Sequence, residues 1–286
     1  MRKDWLTQAA GPLRRFAPVL ALICLSGCSE GVLSPHGPVG DAEKIILLNS
    51  LGIMLAIVIP TILATFAVAW WYRSSHVKAR YLPDWEYSGR LEMVVWSIPA
   101  MVILLLGGIA WVGSHDLDPP KPLESKVAAI PVEVVSLDWK WLFIYPQQGV
   151  ASVNKLVVPA GVPVSFRLTS GSVMNSFFVP ELGSQIYTMS GMITRLNLLA
   201  GKQGSYPGLS AQFSGAGFSG MRFTVDAVSA DKFAEWVTAA KGSDKSLAMA
   251  EYDELVKPSS YITPYTYGSV TDGIFDRIVA HTKGEN

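Results

Sequence analysis

Residues 45–72 read IILLNSLGIMLAIVIPTILATFAVAWWY, and no formal charge interrupts them. As a helix this run exceeds the roughly 20 residues needed to cross about 30 Å of hydrocarbon. A second uncharged run extends from Met93 to Ser114, and both are read as transmembrane helices. Trp70, Trp71 and Tyr72 close the first run and Trp111 lies near the end of the second, where aromatic rings settle at headgroup level. Pro60 and Pro99 are expected to kink the helices locally. The connection between the runs carries Arg73, Lys78, Arg80 and Arg90, whereas residues 29–44 carry only Lys44. The positive-inside rule therefore puts the connection in the cytoplasm and both flanking regions in the periplasm.

Composition agrees with a membrane anchor: 50% of the 286 residues are hydrophobic and 16% charged, too apolar for an ordinary soluble chain of this size. The formal net charge of zero lacks the basic excess that marks nucleic-acid binding. Histidines stand at 36, 76, 115 and 281 and cysteines at 24 and 28, so residues 116–280 contain neither. That stretch cannot build a zinc site, a blue-copper site, a disulfide or a Cys/His nucleophile. No nucleophile and base pair, phosphate loop or internal repeat is found, which argues against catalysis by this chain alone.

The N-terminus places Arg2, Lys3, Arg14 and Arg15 before a short apolar stretch, Phe16 to Leu25, followed by Ser26, Gly27 and Cys28. The stretch is too short to span a bilayer and reads as a signal peptide over residues 1–27. Leu25-Ser26-Gly27-Cys28 matches a bacterial lipobox, which would make Cys28 the acylated first residue of the mature chain. An ordinary signal peptide with an incidental cysteine is the alternative.

After the linker DLDPPKPLESK the chain changes to short β-rich runs: IPVEVVSLDWKWLFIY, KLVVP, PVSFRLTS, SFFVP, TRLNLLA and MRFTVDAV. Their spacing and Gly, Pro, Asn and Ser punctuation predict an all-β sandwich or barrel. Within VSLDWKWLFIY, strand alternation predicts Trp139, Trp141 and Phe143 on one face and Lys140, Leu142 and Ile144 on the other. These aromatics read as core packing or a subunit interface. Beyond Val228 three helices are predicted: DKFAEWVTAAK, capped by Ser229 or Asp231 and stopped at Gly242; SLAMAEYDELVK, ending before Pro258; and GIFDRIVAH. The expected divisions are residues 1–27, a periplasmic N-terminus 28–44, a transmembrane hairpin 45–114, a β domain 127–229 and a helical region 230–286.

Between two of the strand-like runs lies YPGLSAQFSGAGFSGM, residues 206–221. Ser210, Gln212, Ser214, Phe218 and Met221 stand at offsets 0, 2, 4, 8 and 11, the spacing of a metal loop. The atoms are wrong for a soft metal: hydroxyls bind it weakly, a phenyl ring does not ligate, and Met221 offers a single thioether. The glycines permit tight turns and positive φ, so backbone geometry and hydrogen bonds to Ser210, Gln212 and Ser214 are expected to hold the loop.

This loop resembles the binuclear copper loop of subunit II of haem-copper respiratory oxidases, C-x-E-x-C-x-x-x-H-x-x-M with an upstream histidine. The cysteines fall on Ser210 and Ser214, the glutamate on Gln212, the loop histidine on Phe218, the methionine on Met221 and the upstream histidine on Asn175. Five of the six positions are changed, the pattern of the quinol-oxidising branch typified by cytochrome bo-type ubiquinol oxidases. The runs VEVVSLDWKWLFIYP and NSFFVPELGSQIYTMSGM and the lipobox carry the same likeness, which extends from about Cys28 to the C-terminus.

The resemblance implies two transmembrane helices, a cupredoxin-like sandwich and a C-terminal helical region that covers the partner's periplasmic surface. It implies a subunit of a proton-pumping ubiquinol oxidase of the bacterial inner membrane, with no cofactor in this chain. Haems, CuB and ubiquinol would be bound chiefly in subunit I, and subunits III and IV complete the expected partners beside membrane lipid. Trp139 and Trp141 would keep a packing and docking role. Glu92, by position an interfacial carboxylate near Arg90, would by resemblance lie near the mouth of a proton pathway. A stand-alone membrane lipoprotein using the sandwich as a binding or scaffold module is the alternative, and a copper-bearing cytochrome c oxidase subunit the least consistent reading.

Overall fold

A computed structural model describes residues 31–80 and 82–284. It divides into two compact units, one built from residues 42–118 and the other from the described residues on either side. The predicted signal peptide and Cys28 lie outside the described residues.

The first unit is a helical hairpin. Helix α1 (Pro38–Trp71) and helix α2 (Gly89–Asp116) are both long and apolar enough to cross a membrane. Large apolar side chains point outward along both; Phe66 is 70% and Leu104 77% exposed. A continuous patch of this kind is tolerated in hydrocarbon and is a liability in water. Thr61 and Thr65 donate their hydroxyls to the carbonyls of Ile57 and Thr61, each at 2.8 Å, so neither hydroxyl is unpaired within the apolar run. The two helices approach closely at Gly113, where a Cβ would lie 2.8 Å from Ile46 Cδ1.

Helix α1 begins at Pro38 rather than Ile45, because proline's fixed φ suits a first helical position. Its first turn belongs to the second unit. The His36 amide donates to Glu181 O at 2.7 Å and that of Gly40 to Leu182 O at 3.2 Å, while Gly37 approaches Leu199 so closely that a Cβ would lie 2.3 Å from its carbonyl oxygen.

The second unit is a β-sandwich. Its strands are β1 (Ile130–Leu137), β2 (Lys140–Tyr145), β3 (Val150–Val153), β4 (Lys155–Pro159), β5 (Val164–Ser170), β6 (Asn175–Phe178), β7 (Ile186–Thr188), β8 (Thr194–Leu198), β9 (Gly204–Ser210) and β10 (Arg222–Val228). Helix α3 (Ala230–Lys241), strand β11 (Ser246–Leu247), helix α4 (Met249–Val256), strands β12 (Tyr265–Tyr267) and β13 (Ser269–Val270), and helix α5 (Ile274–Gly284) follow. One sheet has the order β12-β3-β2-β1-β5-β8 and the other β4-β10-β9-β6-β7. The pairs β1/β5 and β4/β10 are parallel, so the chain crosses between the sheets rather than meandering.

Between the sheets lies an aromatic core of Trp141, Phe143, Phe166, Phe177 and Phe223. Phe177 stacks on Phe223 with centroids 5.0 Å apart and meets the Trp141 ring edge-on at 5.5 Å, geometries favoured by the ring quadrupoles. Tyr145 joins the sheets through its hydroxyl, which donates to Val157 O at 3.0 Å and accepts from Val157 N at 2.8 Å. Burial pushes this phenol's pKa up, keeping the hydroxyl a donor.

The opposite face of the six-stranded sheet carries a second core. Leu142 and Ile144 pack there with Val135, Leu137, Tyr252, Phe275 and Ile278. The C-terminal region expected to cover a partner's surface thus turns its apolar side onto its own sheet. Arg167 fastens this layer: its guanidinium donates to Glu133 at 2.7 Å and to Asp276 at 2.6 Å, and its Cζ lies 4.8 Å from the Phe275 ring centroid. Ser229 caps α3, accepting from the Lys232 amide at 3.4 Å.

Phe275 is fully buried in this outer core. Phe275→Ala should cost about 3–5 kcal/mol of stability, seen as a lower denaturation midpoint of the detergent-solubilised chain. An unchanged midpoint would show that the outer core adds no stability.

Candidate functional site

The residues at the copper-ligand positions gather at one end of the sandwich. Asn175 opens β6, Ser210 closes β9, and Met221 directly precedes β10, so antiparallel pairing of β9 with both neighbours sets them side by side. Ser210 Oγ donates to Asn175 Oδ1 at 3.1 Å and lies 3.2 Å from Gln212 O. Ser214 Oγ lies 3.8 Å from Met221 Sδ, and Ser210 N donates to Met221 O at 3.2 Å. Asn175, Ser210 and Met221 are buried. Gln212 joins the cluster through its carbonyl, and Phe218 opens a short 3-10 turn with its ring against Phe213, centroids 5.5 Å apart.

These positions therefore hold one another. Hydroxyls, carboxamides and one thioether do not fit a binuclear copper centre, which needs bridging thiolates and imidazoles. Among the described residues no group of three or more His, Cys, Asp or Glu side chains is placed to hold a metal ion.

Two aromatics that spacing did not assign to this loop give it its shape. Trp139 does not continue the strand face of Trp141 and Phe143. It occupies the β1–β2 turn with a φ of 68°, because the chain must reverse between the paired Leu137 and Lys140. Its indole N–H donates to Ser214 O at 3.0 Å. A Cβ on Gly217 would lie 2.3 Å from Trp139 Cδ2, so only glycine admits this ring, and Gly215 has a φ of 106°. From the other side Tyr261 covers Gly220, where a Cβ would lie 2.9 Å from its Cζ, and its hydroxyl is 3.3 Å from Ser219 Oγ. In sequence Trp139 lies inside one continuous β-rich run, and nothing local marks it or Tyr261 as a partner of the loop.

Trp141 is 0% exposed, so it packs in the core and has no surface with which to dock a partner. Lys140, between the two tryptophans, is also buried and donates its amine to Lys257 O at 2.7 Å and to Ser259 Oγ. Burial pulls its pKa down, opposed by nearby Asp138. These bonds hold the segment carrying Tyr261 beside the turn.

In the helical unit, Glu92 lies in the first turn of α2 and its Oε2 accepts from Trp96 Nε1 at 3.0 Å, a contact made natural by i, i+4 spacing.

The cytochrome c oxidase subunit II periplasmic-domain family matches residues 133–228, and the COX aromatic-rich motif matches residues 241–282. The cytochrome bo(3) ubiquinol oxidase subunit 2 of Pseudomonas aeruginosa is 48% identical over 257 residues, covering 90% of this chain and 78% of that one. Its counterpart in Pseudomonas putida is 48% identical over 94% of this chain and 86% of that one, and the ubiquinol oxidase subunit 2 of Acetobacter aceti 48% identical over 93% and 87%. The chain belongs to the ubiquinol oxidase subunit 2 family. The first family match begins and ends within the sandwich, which is cupredoxin-like, and the aromatic-rich match supplies Tyr252, Tyr267 and Phe275 to the outer core.

Since Trp139 seals the loop, Trp139→Ala should speed amide hydrogen exchange at residues 214–221 while leaving β2 protected. Equal exchange in both proteins would assign the loop's order to its own hydrogen bonds.

Proposed function

We propose that this chain is the copper-free subunit 2 of a respiratory ubiquinol oxidase of the bacterial inner membrane, in which quinol is oxidised and oxygen reduced to water by a partner subunit. One observation carries the reading: the ligand positions of a copper loop are occupied by groups that bond to one another, in a chain whose relatives are named ubiquinol oxidase subunit 2. Quinol is held within the bilayer, so electrons can reach haem without crossing the exported sandwich. A chain of this kind needs the sandwich's shape and no redox centre of its own. Its work is to anchor, support assembly and present the sandwich to subunit I, with subunits III and IV completing the complex. Haems and CuB belong to subunit I in this reading. The purified complex should consume oxygen with ubiquinol and not with reduced cytochrome c, and its copper content should match CuB alone. Cytochrome c activity, or a binuclear copper signal assigned to this chain, overturns the proposal, and isolation without any haem-bearing partner favours a stand-alone scaffold.

Glu92 is the residue of this chain we assign to proton uptake. It is an ionisable group at the start of a membrane helix, with Trp96 bonded to its carboxylate, and intramembrane carboxylates commonly carry protons. Glu92→Gln keeps the shape and removes the titratable group; turnover should fall several-fold with haem content unchanged. Unaltered turnover and pumping would take Glu92 out of the mechanism.

The basic connection between the helices supports a topology with both flanks in the periplasm, which suits an exported sandwich and an acylated Cys28. Mass spectrometry of the mature N-terminus should find a lipid-modified Cys28. An unmodified cysteine there refutes the anchor.

A further inference from the structure

The connection between the two membrane helices folds against their ends and borders an open cavity of about 780 Å3, within the roughly 300–1,000 Å3 of small-molecule sites. Its walls are of two kinds. Val68 and Leu82 supply apolar surface, and Arg73 and Arg80 supply guanidinium groups, with His76 and Trp85 beside them. The carboxylates of the connection, Asp84 and Glu86, are not in its walls.

Arg73 is set in place by the protein. Its Nη1 donates to Trp70 O at 2.7 Å, its Nε to Ser75 Oγ at 3.1 Å, and its Cζ lies 4.7 Å from the Trp70 ring centroid. His76 lies 2.5 Å from Trp71 O through Nδ1, its ring edge-on to Trp71 with centroids 4.6 Å apart. Arg80 forms no ion pair or hydrogen bond among the described residues and is exposed. Two arginines, one fixed and one unengaged, thus border a cavity whose remaining lining, Ser74 and His76 apart, is apolar or aromatic, at the end of a helix built to cross hydrocarbon.

We propose that this cavity binds an anionic two-chained phospholipid, with Arg73 and Arg80 holding the phosphodiester oxygens and an acyl chain lying along Val68 and Leu82. A guanidinium fork matches phosphate oxygens, and basic pockets beside membrane helices recognise anionic headgroups. Free phosphate would satisfy the arginines and leave the apolar wall uncovered, so the lipid is the occupant that matches both walls. The inference rests on the two helices crossing a bilayer and is independent of quinol chemistry.

Native mass spectrometry of the complex purified in mild detergent tests it, with added phosphatidylglycerol, phosphatidylethanolamine or inorganic phosphate as probes. The unmodified complex should hold one phosphatidylglycerol more than the Arg73→Gln/Arg80→Gln variant, and its affinity should fall about five-fold per arginine removed. Arg80→Gln alone should show the smaller loss, and since Arg80 makes no internal bonds, it leaves the fold intact. Lys78→Gln changes the charge of the same connection outside the cavity wall and should change nothing. Equal phosphatidylglycerol retention in all variants overturns the proposal, as does an equal loss with Lys78→Gln or of phosphatidylethanolamine. Inorganic phosphate binding as tightly as the lipid would make this an anion site without a lipid. A chain recovered from cells without detergent would instead refute the membrane reading.

Discussion

Strand β2 has no exposed face, and the architecture of the sandwich unit follows from having to cover it twice. Trp141, Phe143 and Tyr145 point between the sheets, and Leu142 and Ile144 point the other way. Leaving the second set in water would forfeit roughly 1.5–3 kcal/mol per large apolar side chain. Helices α4 and α5 and strand β12 meet that need, while α3 packs on the first core through Phe233 and Ala240, so the region after Val228 is an integral part of the domain. Arg167 reinforces it by reaching Asp276 and the Phe275 ring together.

The same strand fixes the candidate site. Because β1 and β2 pair up to Leu137 and Lys140, the reversal between them falls on Asp138 and Trp139, and the indole is delivered to the glycines of the loop. Gly217 and Gly220 then make sense as places where Trp139 and Tyr261 lie against bare backbone. A metal can hold such a loop by drawing in its ligands. Here aromatic packing and polar contacts brace the loop, with Ser210 bonded to Asn175 and Ser214 beside Met221.

Much of this was legible in the chain. The membrane helices were found because their signal is length and lack of charge, both local properties. Most strands were found from apolar runs and turn residues. Strands β3, β7 and β9 have weak or glycine-rich sequences, VASV, IYT and GSYPGLS, and the short β11, β12 and β13 lie in the region read as helical; all six are strands only by virtue of their partners. Alternation puts Trp139 on the strand face of Trp141 and Phe143, but alternation holds only while a strand continues, and a two-residue reversal takes Trp139 off that face.

By itself the sequence determined the two apolar helices, the β character of the exported part, and the chemistry available at residues 175 and 210–221, since residue identity sets which atoms can bind a metal. Only the tertiary structure decided that Trp141 is core, that Trp139 and Tyr261 enclose the loop, and that Arg73 and Arg80 border one cavity. For the sandwich the reason is that burial and juxtaposition arise from contacts between residues far apart in the chain, such as Trp139 with Ser214 or Lys140 with Lys257; for the arginines it is the folding of the short connection, and no local pattern records either.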